Sequence, residues 1–435
     1  MKKRKDEEGA MGIVFKGIAA ALGEALTVKC VDIRIEGNKI EKISESPLPV
    51  APADELVSGE GKLAIPGFVN LHTHLPMVLF RGAADDLPLE EWLRDRIWPL
   101  EARLTDEAVY WGSLLGLAEM IRSGTTAFSD MYFHLDAIER AVAESGMRAV
   151  LSYGIIAAEL DAHGKEELAR AEETVKRLKD GEERMKAAVA PHSIYTCGRE
   201  VWKRAVELAL EQEVPIHTHL SETRTEVADC YVRHRMSPVE LLQEWGGFSA
   251  PTIAAHCVHV TPSDVDILAR HRVTVAHCPR SNAKLGNGIA PISRLRSAGV
   301  NVGIGTDGAA SNNSLDMASE LRFAALSAKA ASGDPTIIPA REAVRMATVV
   351  GARALGLDGT IAEGNRADIA IVDLEQVETI PTSDPLSSLV YSAGRGAVTD
   401  VVVDGRFLMR DRSLTTIDED RVKYEVKEIA KSYKN

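Results

Sequence analysis

Two histidines with the spacing of a metal-binding pair, His72 and His74, follow an apolar run from Leu63 to Val69. Alternate side chains of a β-strand point to the same face, so the two imidazoles should project together from a strand end. Neutral imidazole is the commonest protein ligand for zinc-like metals. Taken alone, the pair has two interpretations: a metal site, or two polar residues where a strand enters a loop.

Four further apolar segments later in the chain also end in polar side chains, at intervals that fit β/α units. These ends are Ile216-His217-Thr218-His219-Leu220-Ser221-Glu222, His256-Cys257-Val258-His259, His277-Cys278-Pro279-Arg280 and Gly305-Thr306-Asp307-Gly308. A single histidine in an apolar strand usually has a core role, but burying this many titratable groups without a metal or hydrogen bonds would be costly. The five strand ends together therefore predict one polar centre.

A catalytic mononuclear metal needs nitrogen or oxygen ligands, an open position for water and a nearby acid–base pair. His72, His74, Asp307 and a histidine from the fifth strand can supply the ligands. Glu222 is placed to move protons, and His256 to hold or orient the attacking water. The five cysteines include no Cys-x-x-Cys pair, which argues against a cysteine zinc cage.

Short apolar strands alternate with amphipathic helical segments from Leu63 onward, and the polar clusters lie where these strands enter loops. The predicted strands are Leu63–His74, Thr125–Tyr132, Arg148–Ile156, Lys186–Ser193, Val214–Glu222, Thr252–Val260, Val273–Asn282 and Asn301–Gly308. This rhythm predicts an α/β protein with a (β/α)8 TIM barrel, whose active sites lie at the carboxyl ends of the strands. A doubly wound open sheet is the alternative, and the count of strands and the position of the polar clusters favour the barrel.

The two chain ends carry β-rich segments of a similar kind. Alternating or β-branched runs fill much of residues 12–63, and comparable runs return at Asp368–Asp373 and Val398–Arg406. We expect a small composite β-sandwich domain from residues 11–64 and 360–420, beside a catalytic barrel of residues 65–359. Residues 421–435 are predicted to form a charged C-terminal helix or tail.

The composition argues against several classes of partner. The 435-residue chain has a net charge of −13, which disfavours binding to nucleic acid and to anionic membranes. The sequence suggests neither a signal peptide nor a transmembrane span, and the cysteines do not suggest a disulfide framework, so we predict a cytoplasmic protein. Met11 offers an alternative start, with the ten residues before it as an extension.

Several motifs of the chain resemble those of the amidohydrolase superfamily. They are Pro66-Gly67-Phe68-Val69-Asn70-Leu71-His72-Thr73-His74, His219-Leu220-Ser221-Glu222, His256-Cys257-Val258-His259 and Gly305-Thr306-Asp307-Gly308. More narrowly, the chain looks like the 5′-methylthioadenosine/S-adenosylhomocysteine deaminases of the ATZ/TRZ group. The narrower cues include His74-Leu75-Pro76-Met77, Glu90-Glu91-Trp92-Leu93, Pro99-Leu100-Glu101 and Ser281-Asn282-Ala283-Lys284-Leu285-Gly286-Asn287-Gly288.

The resemblance implies one divalent metal per chain, zinc in our prediction. The ligands that it implies are His72, His74, His219 and Asp307. It also implies that Glu222 is the proton shuttle and that His256 is the partner of the hydrolytic water. His217 shares a strand face with His219 and is expected to lie one layer deeper, in a hydrogen-bonded position.

The substrate-binding residues that the resemblance implies lie outside the metal motifs. Glu101 and His192 fall where the family contacts the nucleoside, although Glu101 taken alone would suit a charged helix face. Tyr153 stands where some relatives place an arginine, and Lys165 takes the place of another basic pocket residue. Because arginine is the better partner for a carboxylate, we predict a preference for small apolar 5′ groups over the homocysteinyl group.

The predicted reaction is the metal-dependent hydrolytic deamination of adenosine-type nucleosides: 5′-methylthioadenosine, S-adenosylhomocysteine, 5′-deoxyadenosine or adenosine. The alternative is an aminohydrolase of another amino-substituted heterocycle, guanine-type or triazine-type, on the same metal site. A hydantoinase-like hydrolase generally uses two metals bridged by a carboxylated lysine on strand four, and here Lys186 lies at the opposite end of that strand. A non-enzymatic scaffold should have lost ligands or Glu222, and none is missing. By analogy with metabolic enzymes, we expect a homo-oligomer.

Overall fold

The computed structural model describes residues 12–433, so the predictions about residues 1–10 and Met11 lie outside the described residues. Strands are found along most of the described chain. In chain order they are β1 (Ile13–Leu22), β2 (Thr27–Glu36), β3 (Lys39–Ser44), β4 (Glu55–Ser58), β5 (Lys62–Pro66), β6 (Phe68–Thr73), β7 (Thr125–Tyr132), β8 (Arg148–Ile155), β9 (Met185–Ala187), β10 (Ala190–Pro191), β11 (Ile216–Leu220), β12 (Thr252–His256), β13 (Thr274–His277), β14 (Asn301–Ile304), β15 (Ile369–Asp373), β16 (Val398–Val403), β17 (Arg406–Arg410) and β18 (Ser413–Leu414).

Helices fill most of the connections. In chain order they are α1 (Leu89–Trp92), α2 (Trp98–Glu101), α3 (Asp106–Arg122), α4 (Leu135–Ser145), α5 (Ala162–Lys179), α6 (Arg199–Gln212), α7 (Arg224–His234), α8 (Pro238–Glu244), α9 (Pro262–Arg270), α10 (Pro279–Lys284), α11 (Ile292–Ser297), α12 (Ala309–Asn312), α13 (Met317–Ser332), α14 (Ala340–Arg345), α15 (Gly351–Ala354), α16 (Pro385–Ser387) and α17 (Glu419–Ser432). Within residues 12–433, none of them combines the length and the apolar character that a membrane crossing requires.

Two parallel sheets carry the predicted alternation of strands and helices. One has the order β10-β8-β7-β6, with β9 paired to β8, and the other has the order β11-β12-β13-β14. The sheets adjoin where Val189 bridges in parallel to Ile216, and where the Asp307 N–H donates to the His72 carbonyl oxygen at 2.9 Å. The predicted α/β class is therefore confirmed, and the order of the strands agrees with the predicted barrel.

Five of the parallel strands are buried along their whole length. Every residue of β6, β7, β8, β11 and β12 is buried, as expected for parallel strands covered by helices. Beneath the polar ends lies a cluster of buried apolar side chains: Val69, Leu71, Ala127, Val150, Ala188, Ile253, Ala255, Ala276, Ala352 and Leu355. This close-packed base gives the histidines at the strand ends a rigid support.

A nine-stranded sheet joins the two ends of the chain. Its order is β18-β17-β16-β15-β5-β1-β2-β3, with β4 paired to β1, and β5 pairs antiparallel with β15. Phe15 on β1 and Phe407 on β17 contact each other, with ring centroids 6.4 Å apart. Arg148 on β8 links this sheet to the parallel strands, because its guanidinium donates to Asp368 and Asp404. Both chain ends thus build one sheet, while the two-layered sandwich and the domain boundaries stay predictions.

The seam between β14 and β6 depends on a glycine. A Cβ atom on Gly305 would lie 2.8 Å from the backbone nitrogen and 3.1 Å from the backbone oxygen of His72, so it would push the two strands apart. We expect Gly305→Ala to lower the free energy of unfolding by about 1–3 kcal/mol, the usual cost of overpacking a core. Equilibrium denaturation measures this loss. Gly396→Ala is the control, because nothing lies within 4 Å of a Cβ atom there, and equal losses in both variants would contradict the prediction.

Candidate active site

Four side chains converge at the carboxyl ends of three parallel strands. His72 lies on β6 and His74 directly follows that strand. His219 lies on β11, and Asp307 follows β14. Asp307 Oδ1 lies 3.5 Å from His72 Nε2 and 3.3 Å from His74 Nε2. His219 Nε2 lies 3.2 Å from His74 Nε2. The structure therefore brings together the four residues that were predicted as metal ligands.

Outer hydrogen bonds orient two of these histidines. His74 Nδ1 lies 2.7 Å from the Met131 carbonyl oxygen, and His219 Nδ1 lies 2.9 Å from the His192 carbonyl oxygen. A carbonyl oxygen accepts, so each Nδ1 carries the proton and each Nε2 presents a lone pair to the common centre. Bonds of this kind fix the tautomer and the ring orientation of metal-binding histidines.

His72 shows why a cation fits this centre. Its Nδ1 lies 2.9 Å from Nε2 of His217, whose own Nδ1 lies 3.1 Å from Ser129 Oγ, so His217 has the hydrogen-bonded position that was predicted. Nε2 of His72 is buried and has no hydrogen-bond partner among residues 12–433. Suitable ligand atoms of His72, His74 and His219 lie within 4.8 Å of one another. Converging lone pairs in a buried site call for a positive charge, and this donor set suits a divalent metal such as zinc.

Asp307 is held by donors on both carboxylate oxygens. The hydroxyls of Ser281 and Ser311 donate to Oδ2 at 2.6 and 2.8 Å, and the Gly308 N–H donates to Oδ1 at 2.7 Å. Burial would raise the pKa of Asp307, but its interactions with His72 and His74 hold that pKa well below its ordinary value. Asp307 is therefore an anion at neutral pH, as a metal ligand has to be.

Glu222 and His256 face each other beside this centre. Glu222 Oε2 lies 3.6 Å from His256 Nε2. His256 Nδ1 lies 2.8 Å from Asn282 Oδ1, an acceptor, which leaves Nε2 without the proton. Burial raises the pKa of Glu222 to about 8, and the charge of Asp307 adds to the rise. A carboxyl group with this pKa carries a proton at neutral pH and can serve as a general acid.

Three of the four candidate metal ligands, His74, His219 and Asp307, lie with Glu222 at one end of a cavity. The other walls are largely apolar: Met77, Leu89, Trp92, Leu93, Trp98, Met131, Phe133, Ile156 and Leu285. The cavity therefore suits an organic molecule whose polar reacting end points toward the histidines.

Two of the residues predicted to bind substrate line the cavity. Glu101 ends α2 and accepts a hydrogen bond from the Tyr132 hydroxyl at 2.8 Å, and burial raises its pKa. His192 Nδ1 lies 3.0 Å from Thr196 Oγ1, and its ring centroid lies 4.5 Å from that of His219. Burial lowers the pKa of His192 to about 3, so its ring is neutral. Both side chains can contact a ligand next to the histidines.

Tyr153 and Lys165, two residues predicted to bind substrate, are not among the residues that line the cavity. Successive side chains of a strand point to opposite faces, and on β8 the residue that lines the cavity is Gly154. The Tyr153 hydroxyl instead donates to Glu167 Oε1 on α5 at 2.9 Å. Lys165 is exposed on the same helix. The predicted preference for small apolar 5′ groups was argued from Tyr153, so the lining of this cavity does not support it.

Three polar residues at the site had no role in the sequence-based prediction. Ser281 and Asn282 on α10, and Asn287 just beyond it, each contact one of the candidate catalytic side chains. Their signal in the sequence is the motif from Ser281 to Gly288, which begins at the last two residues of the seventh predicted strand and is one of the narrow family cues. The motif marks a segment of interest, but it does not say which catalytic group each side chain contacts.

The sequence matches known proteins over most of its length. The model of the Amidohydrolase family matches residues 63–408. A 5-methylthioadenosine/S-adenosylhomocysteine deaminase of Desulforudis audaxviator is 47% identical over 399 residues, which cover 90% of this chain and 92% of that protein. A 5′-deoxyadenosine deaminase of Methanothermobacter thermautotrophicus is 47% identical over 389 residues, which cover 89% of this chain and 91% of that protein.

A solved structure is similar over the whole fold. An adenosine deaminase from Xanthomonas campestris, determined with bound zinc, aligns with a TM-score of 0.91 and 36% sequence identity. The alignment covers 97% of this chain and 98% of that protein. The parallel strands and the terminal sheet described above thus belong to one shared architecture.

Proposed function

The chain belongs to the amidohydrolase family, and from that premise we propose that it is a metal-dependent hydrolytic deaminase of adenosine-type nucleosides. It is a hydrolase of carbon–nitrogen bonds, and its substrates are 5′-methylthioadenosine, S-adenosylhomocysteine, 5′-deoxyadenosine or adenosine. The names of its relatives support this substrate class. In the same proposal the parallel strands close into a (β/α)8 barrel, and the enzyme is a cytoplasmic homo-oligomer.

The observation that carries the proposal is the convergence of three imidazole nitrogens and one carboxylate oxygen beside a carboxyl group. We assign one divalent ion, zinc, to this centre. Its ligands are His72, His74, His219 and Asp307. When bound, such an ion supplies Lewis acidity and lowers the pKa of the water in its open coordination position.

Proton transfer falls to Glu222, His256 and Asp307. Glu222 donates a proton to the purine ring nitrogen next to the amino-bearing carbon, and that carbon becomes more electrophilic. His256 and Asp307 take the proton of the attacking water as its oxygen adds to the carbon. The amino group then receives the proton held by His256 and Asp307 and leaves as ammonia, while the hydroxyl group of the adduct returns its proton to Glu222. One water is consumed, and the product is the inosine analogue.

Glu101 and His192 hold the nucleoside in place. A carboxylate accepts several hydrogen bonds, so Glu101 can bind the ribose diol while it keeps its bond from Tyr132. His192 Nδ1 is engaged by Thr196, which leaves Nε2 for the base. The apolar walls exclude water from the purine, which strengthens these polar contacts.

Substrate class gives the direct test of this proposal. We expect ammonia release from the four nucleosides, with kcat/KM at least about tenfold higher than for guanine or a triazine, because those compounds leave half-buried Glu101 without its ribose partner. A coupled ammonia assay on the metal-loaded protein measures each rate. In Glu101→Gln the advantage of nucleosides should shrink, because a neutral amide accepts more weakly from the diol.

The outcome of this assay separates the two aminohydrolase readings. Faster deamination of guanine or a triazine would favour the alternative on the same metal site. Metal-loaded protein that releases ammonia from none of the nucleosides would overturn the proposal.

A further inference from the structure

One segment of the chain contacts all three side chains that move protons in the proposed reaction. It runs from Ser281 on α10 to Asn287. Its contacts are Ser281 Oγ to Asp307 Oδ2 at 2.6 Å, Asn282 Oδ1 to His256 Nδ1 at 2.8 Å, and Asn287 Nδ2 to Glu222 Oε1 at 2.9 Å. The third contact has no part in the function proposed so far.

Asn287 is fixed by its own backbone. Its N–H donates to the Asn282 carbonyl oxygen at 2.8 Å, and its carbonyl oxygen lies 2.7 Å from His259 Nε2, which donates to it. It stands between Gly286 and Gly288, whose φ angles of +70° and +111° are accessible chiefly to glycine. The side-chain amide is thus aimed at Glu222 by a turn that depends on these glycines.

The amide makes the two oxygens of Glu222 different. Glu222 is 5% exposed, so few other partners can reach its carboxyl group. Oε1 accepts from Asn287 Nδ2, whereas Oε2 faces His256 Nε2 at 3.6 Å. When Glu222 carries its proton, the oxygen that accepts from the amide acts as the carbonyl oxygen, so the acidic proton belongs on the other oxygen.

We propose that Asn287 is a positioning residue that holds the carboxyl group of Glu222 and directs its proton to Oε2, on the side of the reacting atoms. This inference rests on the proposed deaminase function, in which Glu222 is the proton donor. It explains why a polar side chain 65 residues away in sequence is placed against a buried acid. An amide suits this task, because its N–H group donates a hydrogen bond but is not acidic enough to compete in the proton transfer.

The test replaces Asn287 with leucine, which keeps the shape and removes the donor. We expect kcat for the nucleoside to fall about 10- to 100-fold, the factor carried by one hydrogen bond to a reacting group, while KM changes little. Asn287→Asp should lose at least as much, because the new carboxyl group draws the proton of Glu222 to Oε1. Asn287→Gln retains a donor and should recover part of the loss. Metal content, measured by elemental analysis, should be the same in all variants.

Ile289→Ala is the matched control, because this exposed side chain lies in the same loop and should leave kcat unchanged. If Glu222→Gln is inactive and Asn287→Leu has the parental kcat, the positioning role is wrong and the deaminase function stands. Equal losses in kcat and in nucleoside affinity, with no recovery in Asn287→Gln, would also overturn it in favour of a purely structural role. A parent protein that deaminates no nucleoside would remove the proposed function, and this inference with it.

Discussion

Glu222→Gln should lose nearly all turnover while the fold and the metal stay in place. Glutamine has the same shape, and its carbonyl oxygen can still accept from the Asn287 amide, but it has no acidic proton to give. The general-acid contribution is typically about 10²- to 10⁴-fold, and we expect kcat to fall by that factor. Steady-state kinetics with 5′-methylthioadenosine measure the loss, and elemental analysis of the same preparation measures the metal.

Glu90→Gln is the control for this experiment. Glu90 is exposed on α1 and does not line the cavity, so the variant should deaminate at the parental rate. Deamination by Glu222→Gln at close to the parental rate would show that the proton donor has been misassigned. Loss of metal along with activity would instead mean that Glu222 supports the metal centre, because the proposed ligand set does not include it.

Most of the metal centre follows from the sequence, because the geometry of strands is local. The alternation of β6 places His72 and His74 side by side, and the carboxyl ends of parallel strands bring Asp307 to the same place. The pattern could not choose between His217 and His219, which share a face of β11. The family resemblance named His219, and in the structure the ring nitrogens of His217 are taken up by hydrogen bonds.

The residues that line the outer pocket could not be predicted from the sequence, because they depend on which face of each strand is turned toward the cavity. Tyr153 and Gly154 are neighbours in sequence, yet only one of them can face the cavity, and the packing of α5 decides which. The contact of Asn287 with Glu222 spans 65 residues and requires two left-handed glycines. Neither fact leaves a periodic signal, so a pattern of residue types does not reveal them.

His72→Ala should lose the metal, and activity with it. Nε2 of His72 is a buried ligand atom without a hydrogen-bond partner among the described residues, and its loss also leaves His217 Nε2 without its neighbour. Removing even an outer partner of a metal ligand costs about 10- to 100-fold in affinity, so we expect a larger loss for a ligand itself. The parent protein should contain one equivalent of zinc after dialysis, and the variant close to none.

Thermal stability offers a readout of the metal that does not depend on activity. A ligand present at a hundredfold excess over its dissociation constant stabilises the folded state by about 2.7 kcal/mol, so a chelator should lower the Tm of the parent. The same chelator should leave the Tm of His72→Ala unchanged, because that variant has no metal to lose. His234→Ala, at an exposed histidine on α7, should behave as the parent does. Two equivalents of metal in the parent, both required for activity, would contradict a mononuclear centre. That result would favour a hydrolase with two bridged metals.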